Sequence, residues 1–312
     1  MTARHTRAHP SATPAPLTRR DMLRAGTAGG LAALLAGCGD GSIVSALTPN
    51  RFISFGDGLS DVGQGAGGTR YTINDGTANT WADRLASRYG KSLTAQTAGG
   101  LGYAQGHAPT AALPRSLAVQ IDAFLAGQTP MTNDVVLLNL PMADVLSAMA
   151  DVKTNKLTEA AAQAQVEAVG SAHVAQIRRL LGAGVTYVLV LGVYDLSKSP
   201  LAIAQGQTAL AANLSQRLND AFKVEAIKLG TNLLFVDAAF LVNRNVLNAN
   251  AYGFSNVNTA ICTTADASTC NTGTLVSGAT ASKYVFADGI HLTPTCNQQL
   301  GDYAYDQLRA RW

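Results

Sequence analysis

The chain has 312 residues, 47% of them hydrophobic and 14% charged, with a formal net charge of +3. That apolar content supports one large buried core and excludes a largely disordered protein. The positive balance does not point to nucleic acid. Five arginines (Arg4, Arg7, Arg19, Arg20, Arg24) and one acid (Asp21) sit in a leader, and without them 18 basic residues face 19 acidic ones, with no basic stripe carrying interleaved aromatics.

The leader runs Thr18-Arg19-Arg20-Asp21-Met22-Leu23-Arg24, then a small-residue apolar stretch over 25–37, then Cys38. Twin arginines before a modest hydrophobic run read as a Tat-type export signal over residues 1–37. A membrane helix is the weaker reading, since about 20 apolar residues are needed to cross a bilayer. Leu35-Ala36-Gly37-Cys38 is similar to the lipobox of bacterial lipoproteins. That similarity implies a lipid on Cys38, a membrane anchor through it, and a place in the cell envelope facing the periplasm or the outside. Residues 38–50 then read as a Gly/Ser tether and 51–312 as the folded domain. Cys262 and Cys270 lie close together in a Thr/Ala/Ser-rich stretch, where an oxidising compartment favours a local disulfide. Cys296 is left as a small buried apolar residue. No CxxC pair occurs, so neither a metal nor any other cofactor is expected.

Along the domain, a short apolar run over 51–55 enters Phe55-Gly56-Asp57-Gly58-Leu59-Ser60-Asp61-Val62-Gly63, a tight elbow from strand to helix. The Gly-, Thr- and Asn-rich residues 63–79 read as a loop on the same rim, placed to line a site. A helix is predicted over 80–89, with Trp81 and Leu85 on one face, and a short strand over 93–98. That strand runs into Gly99-Gly100-Leu101-Gly102-Tyr103-Ala104-Gln105-Gly106-His107-Ala108. A helix follows over 117–126. Residues 134–140 form a continuous apolar run, suited to a central strand buried on both faces, and end at Pro141-Met142-Ala143-Asp144. Helix over 158–181, strand over 185–191, helix over 208–229 and strand over 232–237 come next. Residues 243–282 read as a long polar loop. Phe286-Ala287-Asp288-Gly289-Ile290-His291-Leu292-Thr293 then leads to a closing helix over 296–309. Strands alternating with helices predict a doubly wound parallel sheet with helices on both faces.

The elbow, the glycine-rich turn, the Pro-Met-Ala-Asp turn and the terminal Asp-x-x-His resemble, in order, the motifs of the GDSL (SGNH) esterases and lipases. The resemblance covers nearly all of 51–310. It implies an α/β fold of the SGNH-hydrolase, flavodoxin-like kind in three layers, and cleavage of carboxylic esters. It also implies roles for residues. Asp57 belongs to the first motif, in which the family's nucleophilic serine stands where this chain has Gly58. In the second motif a glycine amide donates to the oxyanion; Tyr103, Ala104, Gly106 and Ala108 match it, and His107 takes the place of the second glycine. In the third, Ala143 replaces an asparagine that donates to the oxyanion, and Asp144 is kept. Asp288 and His291 match the base pair, the histidine taking the proton and the aspartate orienting it. Read without the resemblance, Asp288 is a capping residue and His107 a surface loop histidine.

Ester hydrolysis by this plan needs a hydroxyl, a base and oxyanion donors. The base half is retained and the attacking half is missing. Ser60 is two residues from the elbow, but two residues along a helix start turn a side chain by about 200°, so it reads as a cap for the first turn. Two functional expectations follow. One is a degenerate hydrolase that binds a small acyl, ester-bearing or lipid-like ligand with little turnover. The other is an active esterase in which His291 activates a water held in the space left at Gly58, or in which an unusual nucleophile attacks.

Overall fold

A computed structural model of the chain describes residues 45–77, 80–107 and 114–312. The leader, Cys38 and Ala108 lie outside the described residues. Four parallel strands form the central sheet in the order β1 (Phe52–Phe55), β2 (Val135–Asn139), β3 (Tyr187–Leu191), β4 (Leu233–Val236). Every residue of β1 and β2 is buried. Successive side chains of a strand point to opposite faces, so both faces of the sheet are covered.

Residues 93–98 do not form the expected strand. Gln96–Ala98 is a 3-10 turn, and the free edge of β1 is satisfied by residues 101–103 instead. There the Ser54 amide donates to the Leu101 carbonyl at 3.1 Å and the Tyr103 amide to the Ser54 carbonyl at 2.8 Å. Leu93 and Ala95 are buried, and the run reaches the sheet only through a single parallel bridge from Ala95 to Gly102, which in turn bridges to Ser54. With residues 101–103 on one side of β1 and β2 on the other, the chain order reverses at β1. In an open α/β sheet the crevice for a ligand lies at such a reversal, past the C-terminal strand ends.

The helices are α1 (Trp81–Arg88), α2 (Leu117–Gly127), α3 (Met142–Lys153), α4 (Glu159–Gly182), α5 (Pro200–Gln205), α6 (Thr208–Ala226), α7 (Ala238–Leu247) and α8 (Pro294–Arg311). Side chains satisfy the first-turn amides of most of them: Thr80 and Asp83 form a capping box on α1, and Ser116, Thr158, Asp237 and Thr293 cap α2, α4, α7 and α8. They gather into two packed groups, α1 with α7 and α8, and α2, α3, α4 and α6 together. The helix over 208–229 ends early, because Ile227–Asn232 tightens into 3-10 turns with Gly230 at φ 64°.

Residues 243–282 also differ from an open loop. β5 (Asn256–Ala260) pairs in parallel with β6 (Tyr284–Phe286), and Cys262 and Cys270 are joined in a disulfide. Ile73, Ile261, Cys262, Ala267, Cys270 and Ala287 form a second small core under it. At the other end of the domain, part of the expected tether is docked. Leu47 is buried and its amide donates to the Trp312 carbonyl at 2.9 Å, while the Asn50 amide donates to the Asn133 carbonyl at 2.9 Å.

The disulfide closes a sequence separation of 8. Loop-closure entropy for so short a ring corresponds to about 2.5 kcal/mol. A Cys262→Ser, Cys270→Ser variant is therefore expected to lose about 2 kcal/mol in urea unfolding. An unchanged midpoint would show that the small core alone holds this segment.

Candidate active site

The elbow after β1 is clamped from two sides. Gly56 has φ 131°, and a Cβ on it would lie 2.0 Å from Asn139 Oδ1, so no other residue fits. Its amide donates to Gln120 Oε1 and its carbonyl accepts from Gln120 Nε2, both at 2.9 Å. Asp57 is 2% exposed. Its Oδ1 accepts from Asn139 Nδ2 at 2.7 Å and from the Leu59 amide at 3.1 Å, and its Oδ2 from the Met142 amide at 2.7 Å. Burial pushes the carboxyl up, and these bonds together with the nearby His291 oppose the rise without cancelling it.

Asp288 and His291 meet as the sequence reading expects. His291 Nδ1 donates to Asp288 Oδ2 at 2.8 Å, and the Ile290 and His291 amides donate to Asp288 Oδ1 at 2.8 and 2.7 Å. The Ala267 amide, from the disulfide-bonded segment, donates to Asp288 Oδ2 at 2.8 Å. Burial favours the neutral carboxyl, but the charge of His291 and these four donors outweigh it and hold Asp288 at about 2. For His291 burial favours the neutral ring, and the charge and hydrogen bond of Asp288, with Asp57 and Asp266 adding, raise it above its ordinary value.

Nε2 of His291 faces Gly58: a Cβ built on Gly58 would lie 2.7 Å from it. The same Cβ would lie 2.9 Å from Cγ and 3.2 Å from Cβ of Tyr71. Tyr71 and His291 therefore crowd the position that a side chain at residue 58 would take. The ring of Tyr71 packs 5.0 Å from the His291 ring and 5.4 Å from the His107 ring, centroid to centroid. Its outer end lies over Gly106, where a Cβ would fall 2.0 Å from the Tyr71 hydroxyl. The loop that carries Tyr71 is pinned on both sides. Arg70 Nε donates to Asp83 Oδ2 at 3.0 Å, Thr72 Oγ1 to the Leu292 carbonyl at 2.8 Å, and Asn74 Nδ2 to the Cys270 carbonyl at 3.1 Å.

The sequence reading expects three further positions near the oxyanion. The Gly106 amide donates to Asp61 Oδ2 at 2.9 Å, while Asp61 Oδ1 accepts from the Gly63 and Gln64 amides. Ala143 stands in the first turn of α3 with Asp144 beside it. His107 has φ 58°, a left-handed conformation that glycine adopts more readily, and its exposed ring lies 3.4 Å from Asp266 Oδ2.

The family model for GDSL-like lipases and acylhydrolases matches residues 52–304. The chain belongs to this family. The esterases EstA of Pseudomonas aeruginosa and Pseudomonas putida are each 25% identical to it over 130 residues, 40% of this chain and 20% of theirs. It thus spans only a fifth of the length of those relatives. Among solved structures, the aryl esterase of M. smegmatis is 19% identical, with a TM-score of 0.47 over 84% of this chain and 99% of that one. The carbohydrate acetylesterase Est24 of Sinorhizobium meliloti is 17% identical, with a TM-score of 0.46 over 84% and 99%.

The structure brings Gly58, Asp288 and His291 together, and Gly58 offers no side chain there. Ala143 has no side-chain donor, and the Gly106 amide is engaged by Asp61. Ser60 offers no substitute. It does not cap a helix, because residues 57–60 form a turn with the Ser60 amide donating to the Asp57 carbonyl at 3.0 Å. Its hydroxyl is fully buried and accepts from Trp81 Nε1 at 3.1 Å. Asn139, Gln120 and Tyr71 escaped the sequence reading. Asn139 stands at the C-terminal end of a predicted strand, a signal that was available; Tyr71, alone in a polar loop, gave none.

The raised His291 and depressed Asp288 set a pH window. Stability from His291 is full below 6.5 and fades as pH rises through its higher folded value; stability from Asp288 is full above 3.8 and fades as pH falls toward about 2. Imidazole NMR is expected to show His291 titrating above 6.5 in the parent, and Asp288→Asn to bring the midpoint down. A midpoint at or below 6.5 in the parent would mean that burial prevails over the aspartate.

Proposed function

We propose that this GDSL-family chain holds an ester-bearing or acyl ligand in the cleft beside Tyr71 without hydrolysing it efficiently. The observation that carries this reading is the crowding at Gly58: a Cβ there would lie 2.7 Å from His291 Nε2 and 2.9 Å from Cγ of Tyr71, where the family motif has its serine. Losing the nucleophile alone costs about 10⁶ in kcat in a well-studied serine protease, and losing one oxyanion donor about 10² to 10³. The intact Asp288–His291 hydrogen bond favours the second reading, an esterase with an unusual attacking group, but that reading requires Tyr71 to leave its place first.

Both readings are separated by hydrolysis of p-nitrophenyl acetate, butyrate and octanoate. The parent is expected at background. Gly58→Ser alone is expected to stay there and to lose about 1–3 kcal/mol of stability, since its Cβ overpacks against His291 and Tyr71. Gly58→Ser with Tyr71→Gly is expected to gain turnover that His291→Ala removes. The glycine is needed because even Cβ of residue 71 lies 3.2 Å from the new Cβ. Parent turnover that depends on His291 would overturn the binding reading.

We also propose that the domain works outside the cytoplasm on a lipid anchor. The twin-arginine leader and the lipobox-like Leu35-Ala36-Gly37-Cys38 support this, and the Cys262–Cys270 disulfide suits an oxidising compartment. Changing Cys38 to Ser is expected to move the protein from the membrane to the soluble fraction. Unchanged fractionation would remove the anchor.

A further inference from the structure

The cleft beside Tyr71 has a volume of about 730 Å³, within the roughly 300–1,000 Å³ of small-molecule sites. Such sites are usually lined mainly by apolar side chains, and this one is not. Gln64, Thr97, Gln105, Arg115 and Asn271 surround it, with Tyr71 as the single aromatic surface. An acyl chain laid here would strip water from these groups and return no hydrogen bonds.

Several donors are fixed and unused. Gln64 Oε1 accepts from the Thr97 amide at 2.9 Å and from Thr97 Oγ1 at 3.0 Å, and Asn271 Oδ1 accepts from the Gly273 amide at 2.9 Å. Each oxygen is thus tied down, and the amide nitrogens of both residues have no partner among the described residues. The same holds for the whole side-chain amide of Gln105. Charge is balanced. Among the described residues Arg115 is the one cation of the lining and Asp61 the one carboxylate, and Asp61 already accepts three amides. Neither an anionic nor a cationic ligand is favoured by such a lining.

We propose that the cleft binds a neutral carbohydrate, its hydroxyl rim against the Gln64, Gln105, Asn271 and Arg115 heads and an apolar ring face against Tyr71. A sugar ring combines these two surfaces: paired hydroxyls that match planar amide and guanidinium heads, and a C–H face that packs on an aromatic ring. The inference rests on the binding reading above for the use of the cleft and narrows its ligand to one whose sugar part, not an acyl chain, meets the polar lining; Tyr71 serves as the platform only while it stays in place over Gly58.

The test uses the full-length protein on a printed glycan array, then isothermal titration with the best-bound tetrasaccharide and, separately, with octanoate. Binding of a neutral oligosaccharide is expected, with at least a tenfold loss in Gln105→Ala, whose side chain has no structural partner, and a similar loss in Tyr71→Ala. Thermal unfolding of both variants guards against misfolding. Octanoate binding in the absence of any oligosaccharide binding overturns the proposal, as does oligosaccharide binding that ignores both substitutions, or an array without signal. Ester turnover by the parent is read in a separate assay, so failure of the non-hydrolytic reading is distinguishable from failure of this one.

Discussion

The buried carboxylate of Asp57 is the constraint on which the site depends. Among the described residues it has no cationic hydrogen-bond partner; three N–H donors, from Leu59 just after β1, Asn139 at the end of β2 and Met142 at the start of α3, hold it. Removing those donors would leave a buried charge unpaired, so the two strand ends are locked together at the point where the chain order reverses. Asp288 acts in the same way on the other side. It collects the amides of Ala267, Ile290 and His291, and so ties the disulfide-bonded segment to the start of α8. Both aspartates therefore have a structural reason to be present whether or not a serine stands between them. Survival of the family's motifs in this chain is for that reason a poor guide to survival of its chemistry.

Tyr71 joins departures that look separate along the chain. A Cβ on Gly58 would touch Cγ of the ring, and a Cβ on Gly106 would touch its hydroxyl end, so two glycines and one aromatic ring form a single packing unit. Close packing admits no partial reversal. A serine at 58 requires the ring to leave, and the ring is held by a loop pinned through Arg70, Thr72 and Asn74.

The alternation of strands and helices was legible because its elements carried local signals: continuous apolar runs at 135–139 and 187–191, and Trp81 and Leu85 on one face of the helix that follows Thr80. The facing of Asp288 and His291 was legible from three-residue spacing. Three things were not. The strand expected at 93–98 failed because edge pairing is decided by which backbone reaches Ser54, a property of the whole fold. The local disulfide in the segment 243–282 was expected, but the segment still looked like an open loop because the rest of its order comes from pairing with β6 and packing on Ile73 and Ala287, which are non-local. Tyr71 sits in a stretch without periodicity, where only three-dimensional proximity links it to Gly58.

The chemistry left to His291 follows from its surroundings. In a working triad Nε2 meets a hydroxyl and the imidazole takes up its proton during the reaction. Here the imidazole packs beside the Tyr71 ring, and the residue is 3% exposed. Asp288, Asp57 and Asp266 all favour the charged ring. An imidazolium 5.0 Å from an aromatic centroid lies within the range of cation–π attraction, worth about 0.5–2 kcal/mol. The more fully His291 is protonated, the worse it serves as a base and the better it holds Tyr71. In this geometry the hydrogen-bonded pair of Asp288 and His291 also packs against Tyr71, so the charge that Asp288 stabilises on the imidazole helps to hold the ring.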